Sequence, residues 1–539
     1  MRVRIGWAAT TAAVLVTAIV GVAKVARPRA SAQEPGTTAR QAIDAAAAAL
    51  GGAERLRALR NMTLIGYAQY AYQNGGGNIS PLPGAPQKFI AANDYRRVYD
   101  LEHRRMYHQE RRNDLFPFAN YAGHDFALQR QVLDGEIAYN INPQGVAIRG
   151  GDARDRRMWM YSNPVVAVRA ALSPANTLGN RRQENGLTLV DLKLREGDLL
   201  TIAIRPPAHL PEFVRWSAPQ VNLGEYSLTT RFYGYEPFDG VQLPMGFTTK
   251  SDWRDIDQVK IYVDDYLVNT EIQNLVAPAS VAAAAPAATG AGPAPAGGGG
   301  RGGGAIEVTP LARGVWRITG GTMVIEFADH LTLFEVDGQP ARIKQVIEAA
   351  RQIVPAKPVT EVIVSHHHFD HSSGLRQAVA EGLTVISRRD NGVIFREMTE
   401  HPAPTFPDDL SRSGRKMKFI PVDDHLQLKD STMTVDIYHV IANSHLADGV
   451  LAYIPEHKMI IEADVATAAE ELQWWGDSWL RNIAYRRLDV ERNVPVHMTP
   501  MTRDEVIRMV NGGIQRVKEF CMQHAARGDY MAGCPPQVK

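Results

Sequence analysis

Cysteine is almost absent: Cys521 and Cys534 are the only two in a chain of 539 residues. They lie far in sequence from the densest histidine cluster and lack a third partner, which excludes a thiolate metal cage. In an oxidising compartment they could close a small loop over the tail, but spacing alone does not establish that geometry. An excess of one charge is also missing. The formal net charge is +1, so the chain carries no overall electrostatic footprint for nucleic acid or for a strongly acidic partner. The pairs Arg104-Arg105 and Arg111-Arg112 read as solvated faces. No serine or cysteine sits in a recognisable nucleophile motif, and His103, His108 and His124 are too scattered to form a site. With 45% hydrophobic and 22% charged residues the chain is an ordinary globular protein, and its length calls for two or more domains.

Residues 1–32 read as an export signal. Arg2 and Arg4 precede the apolar run Ile5–Ala23, and Ala30-Ser31-Ala32 supplies a small-residue cleavage site. No cysteine follows, which argues against a lipid-modified N-terminus. The expected location is the periplasm or the exterior of a bacterial envelope. The runner-up is an uncleaved membrane anchor, because the apolar run approaches the length of a bilayer span.

Residues 277–305 collapse to Ala, Pro and Gly and end in Gly297–Gly300 and Gly302–Gly304. Such a segment is expected to bury almost nothing and to act as a flexible linker. Before it, residues 37–272 open with an alanine-rich helix from Thr38 to Leu50 and a short helical stretch from Ala53 to Arg60. Strand patterns follow at 62–72, 189–194, 227–233 and 259–264. This predicts a mainly antiparallel β domain with a leading helix, curved into a sheet or half-barrel. After the linker, residues 306–539 alternate strands with helices. Hairpin strands are expected at 315–318 and 323–327, a helix at 343–354, a helix at 375–381 and a strand at 384–387.

The densest chemistry is His366-His367-His368-Phe369-Asp370-His371, directly after the apolar run Val362-Ile363-Val364-Ser365. Alternation along a strand puts His366 and His368 on one side. A turn near Phe369 can swing Asp370 and His371 toward a second metal. Imidazole and carboxylate at this density suit zinc, with iron as the rival. Left without metal or partners, these groups would be a costly buried polar knot. His367 points to the other side and reads as structural or solvated. His439, in a strand six residues before His445, reads as a core or edge histidine.

The H-x-H-x-D-H pattern resembles the metallo-β-lactamase superfamily. The resemblance implies an α/β fold, the αββα metallo-β-lactamase sandwich, over residues 306–539. It also implies further ligands at strand ends: His445 after Val435–Ile441, Asp464 after Lys458–Ala463, and His497 in Val494–Met498. On this reading His366, His368 and His445 hold one zinc, Asp370, His371 and His497 hold a second, and Asp464 bridges them. The family's usual glycines are displaced here. Asn443-Ser444 precede His445, Ala463 precedes Asp464 and Val496 precedes His497. The front domain resembles lipoprotein-carrier-like envelope domains, which implies an apolar concave face for a lipid or acyl ligand.

Two zinc ions would lower the pKa of a shared water toward neutrality, and the resulting hydroxide would be the nucleophile. Asp370 would orient it as the catalytic carboxylate. Asp423, Asp424 and Asn443 are candidates to hold ligand imidazoles. Trp474, Trp475 and Trp479 could grip an apolar group, or simply pack. The expected substrate is a small molecule with an ester, thioester, lactone or related bond, and the bond class stays open. Two rivals stay open. One is a mononuclear-iron sulfur dioxygenase of the same fold; the other is a lipid-binding module whose metal site is only structural.

Overall fold

In the computed structural model the described residues are 38–114, 127–286, 305–466 and 476–527. The export-signal and Cys521–Cys534 readings involve residues 1–32 and 534, which lie outside them. Thr38–Lys539 forms one compact unit. Among the described residues no helix is long and apolar enough to cross a membrane.

Thr38 caps the first helix, Ala39–Ala49, in a capping box with Gln41. A second short helix, Ala53–Ala58, follows. Among the described residues the strands of the front half form a single sheet of 13. Its centre is the antiparallel pair Asn61–Ala71 and Asp257–Val268. The next five strands in sequence extend from this pair to one edge, and the remaining six extend to the other. The chain therefore has to cross from edge to edge, and it does so through helices Ala153–Tyr161 and Pro164–Leu172. Both touch strands, and the first helix packs beside the second of them. Ile43, Val165, Val166 and Val168 are buried among Leu64, Leu192 and Ile202 of the sheet. The helices thus bury one apolar face of the sheet. A cavity of about 380 Å³ lies at the helix ends, and its wall includes the charged Arg57, Glu102, Arg104, Arg169, Arg195 and Glu196.

Arg105 pairs with Asp134 at 2.6 Å, and Arg112 pairs with the fully buried Glu110. These arginines are internal partners rather than a solvated face. The linker reading is corrected in its first third. A short helix, Ala279–Ala283, docks on the sheet, with Leu275, Ala277 and Val281 buried against Val98, Val132 and Tyr139. Alanine and valine suffice to cover an apolar strand face. The glycine-rich residues 287–304 lie outside the described ones.

The second half is an αββα sandwich. One sheet has seven strands: Val308–Ala312, Val315–Ile318, Thr322–Glu326 and Leu331–Phe334 form an antiparallel meander, followed by the parallel Val359–Ile363, Thr384–Arg388 and Lys418–Val422. The other sheet has six strands from His425 to Thr502. Met323, Ile325, Phe334, Ile363 and Ile386 meet Val435, Ile437, Ala452, Ile461 and Val494 between the sheets. Helices Pro340–Ile353, Leu375–Glu381 and Asn391–Glu400 bury Ile343, Val379 and Phe395 on one outer face. Helices Ser478–Arg486 and Arg503–Ala526 bury Trp479, Ile483 and Val506 on the other. Every strand that carries a candidate ligand ends at the same rim.

The two halves are joined by specific polar contacts. Glu225 accepts the amides of Thr405 and Phe406 at 2.7 and 2.9 Å. Glu397 accepts from Trp253 Nε1 at 3.1 Å and from Arg254 at 2.5 and 3.0 Å.

Candidate metal centre

The strand Val359–Ile363 delivers the motif, and the chain turns into the short helix Phe369–Ser372. His366, His367, His368 and His371 are all buried. The rings of His366 and His368 lie 4.5 Å apart, in the segment that follows the end of the strand at Ile363. His367 turns elsewhere: its Nδ1 lies 2.6 Å from Asp448 Oδ2, so its role is structural.

His445, Asp464 and His497 all converge on this cluster. Asp464 Oδ2 is 3.0 Å from His371 Nε2, 3.3 Å from His445 Nε2 and 3.7 Å from His366 Nε2. Its Oδ1 is 3.0 Å from His497 Nε2. Asp370 Oδ2 stands 3.6 Å from His371 Nε2 and 3.9 Å from His497 Nε2. Among the described residues three groups emerge whose donor atoms lie within 4.8 Å of one another: His366, His368, His445 with Asp464; Asp370, His371 with His497; and Glu335 with His366 and His371. The arrangement fits divalent cations for a second reason. His366 Nε2 and Asp370 Oδ1 are buried polar atoms with no hydrogen-bond partner, and such atoms are costly unless something else satisfies them.

Family membership follows. Residues 332–497 match the metallo-beta-lactamase superfamily. The C-terminal domain belongs to that superfamily, and its class is that of a metallo-hydrolase. No curated protein matches the chain. Among solved structures it is similar to a metallo-β-lactamase from Hirschia baltica, at 14% identity over 39% of this chain and 97% of that one, with a TM-score of 0.30. A metallo-β-lactamase from Pontibacter korlensis is 13% identical over 39% of this chain and 99% of that one, also at 0.30. At these scores the likeness carries no argument of its own.

The metallo-β-lactamase motif is held by groups that sequence reading missed. Glu335 is fully buried, with a left-handed backbone at φ 56°. Its two oxygens lie 3.0 and 2.9 Å from His371 Nδ1, and it also accepts from the Ser365 hydroxyl. Ser365 Oγ in turn lies 2.8 Å from His366 Nδ1. Both imidazoles therefore present Nε2 to the centre. A carboxylate ending the apolar run Leu331–Phe334 was the available signal, since Asp464 stands at the same kind of place. Asn443 holds backbone rather than an imidazole: its Oδ1 accepts the amides of His445 and Leu446, and its Nδ2 donates to the Asp464 carbonyl at 3.3 Å. Asp423 and Asp424 do not reach the imidazoles; they are exposed partners of Arg389 and Arg486. Asp464 itself takes the left-handed turn at φ 58°, a conformation that aspartate tolerates better than most residues.

Trp479 is fully buried and donates to Asn493 Oδ1 at 2.8 Å, so it packs and does not line a rim. Trp474 and Trp475 lie outside the described residues. His439 is half-buried at a strand end, near the Ala447 carbonyl.

Electrostatics separates the imidazoles. Burial drives His366 and His368 well below the usual imidazole value, and neighbouring imidazoles push the same way. Both are neutral donors at neutral pH. Burial also acts against the charged form of His371, but Glu335, Asp464 and Asp370 carry its pKa well above the usual value. Burial would raise the Asp464 carboxyl, yet His371 and His497 hold it well below the ordinary carboxylate range. The negative potential that retains a proton on His371 is the same potential that would retain a cation.

Proposed function

We propose that this protein is a zinc-dependent hydrolase of small molecules carrying an ester, thioester, lactone or related bond. The supporting observation is the position of Asp464, whose two oxygens stand between the two imidazole groups at 3.0 to 3.7 Å. One zinc would sit on His366, His368 and His445, the other on Asp370, His371 and His497, with Asp464 shared. Two zinc ions supply Lewis acidity and a water acidified toward neutral pH.

The chain's own residues do the rest. His366 and His368 stay unprotonated through burial and so keep their lone pairs available. Glu335 and Ser365 fix which ring nitrogen faces inward. The carboxylate of Asp370 carries a buried, unpartnered oxygen, placed to orient a water and to accept its proton. Side-chain exposure rises from 0% at His366 to 31% at Asp370 and 36% at His497. The site therefore opens on the Asp370–His497 side, where a substrate can enter. That opening disfavours a purely structural site, which is normally closed and four-coordinate.

Two measurements test the reading. Elemental analysis of the purified protein should give about two zinc ions per chain; iron together with oxygen consumption would install the dioxygenase reading instead. A screen of esters, thioesters, lactones and β-lactams should find turnover that His368→Ala abolishes. Turnover untouched by His368→Ala would refute the proposal.

A further inference from the structure

The front sheet reaches into the metal centre. The loop between strands Asn61–Ala71 and Phe89–Asp100 carries Asn74-Gly75-Gly76-Gly77. The Asn74 carbonyl accepts the Phe369 amide at 2.6 Å, and Asn74 Oδ1 accepts the Asp370 amide at 3.2 Å. Gly76 donates its amide to His367 Nε2 at 3.3 Å. Gly75 lies against the His368 ring, where an added Cβ would stand 2.2 Å from Cδ2, and its φ of 153° already disfavours a side chain. From a second loop of the same sheet, the buried Asn222 donates to the Phe369 carbonyl at 3.2 Å and to Ser372 Oγ at 3.1 Å. The first loop is itself anchored: Arg254 donates to the carbonyls of Asn78 and Ser80 at 2.7 Å while paired with Glu397.

We propose that the front domain is a working part of the metal centre, with Asn74 and Gly75 as positioning residues that hold Asp370 and His368. This inference rests on the metal reading above. Its physical basis is that the turn 369–372 has free amides at its start, and that the acceptors for two of them come from the other half of the chain. The carboxylate of Asp370 is then aimed by a backbone that the sandwich alone leaves unfixed. The ring of His368 is confined by a surface that only glycine permits.

The test uses full-length protein stripped of metal and titrated with cobalt(II), read by visible absorption. Gly75→Ala should weaken the cobalt site containing His368 by about 10- to 100-fold and change its absorption band. Asn74→Ala should speed hydrogen exchange across 366–373 with or without metal, and should weaken the site containing Asp370. Gly84→Ala, at a point of the same loop where a Cβ meets nothing within 4 Å, should behave as wild type. Wild-type spectra and affinity in both Gly75→Ala and Asn74→Ala would overturn the inference, as would unchanged exchange in Asn74→Ala. If Gly75→Ala does not fold, Asn74→Ala decides. Wild-type protein that binds no cobalt, zinc or iron would instead overturn the metal reading, and this inference with it.

Discussion

Glu335→Gln isolates the contribution of one buried charge to the centre. The substitution keeps the size and shape of the side chain and removes its charge. In the native protein both carboxylate oxygens lie 2.9 to 3.0 Å from His371 Nδ1, and the residue is fully buried. Hydrogen bonds to charged groups contribute about 1.5–3 kcal/mol net. At about 1.4 kcal/mol per tenfold, this predicts a loss of roughly 10- to 100-fold in metal affinity at the site holding His371. The amide keeps one acceptor for the imidazole and can turn its NH2 toward Ser365 Oγ, so folding should survive. The assay is zinc competition against a chromophoric chelator at neutral pH, with far-UV circular dichroism as the control for folding. Unchanged affinity in a folded variant would refute the argument that Glu335 orients and polarises His371.

Two further outcomes follow from the geometry. Burial pushes the Glu110 carboxyl up, but His108 and Arg112 pull it down from 4.5 to about 2. A depressed pKa confers stability that is complete above the unfolded value and is lost as pH falls toward the folded one. The stability gap between wild type and Glu110→Gln, followed by urea unfolding, should therefore shrink by up to about 3 kcal/mol between roughly pH 5 and pH 2; a gap that does not change with pH would sink this. Trp479→Phe should cost about 1–3 kcal/mol of stability by leaving Asn493 Oδ1 buried without its donor, with KM unchanged. A raised KM at native stability would restore the substrate-gripping reading.

Much of the site was legible because its signals are local. The His366–His371 cluster is contiguous and directly follows the strand Val359–Ile363. His445, Asp464 and His497 could be found because each closes an apolar strand-like run, the one place where polar ligands can leave a sandwich core. Glu335 too ends such a run, Leu331–Phe334, and carries the same kind of signal. Asp448 and Asn222 carried no local signal. Each acts on the motif from far along the chain, 81 residues from His367 for Asp448 and 147 from Phe369 for Asn222. Trp479 misled because a tryptophan near a site reads equally well as rim or core, and only burial separates the two.

By itself the chain of residues determined the kinds of elements, the break near the glycine run and the metal-binding character of one segment. All three depend on period, composition and spacing over a few residues. Only tertiary structure decided that helices cover one face of the front sheet, that its Asn74–Gly76 loop meets the histidine motif, and that Glu335 and Ser365 turn His371 and His366 inward. Those outcomes depend on which distant surfaces lose water together, and contact between remote segments leaves no periodic trace in a single sequence.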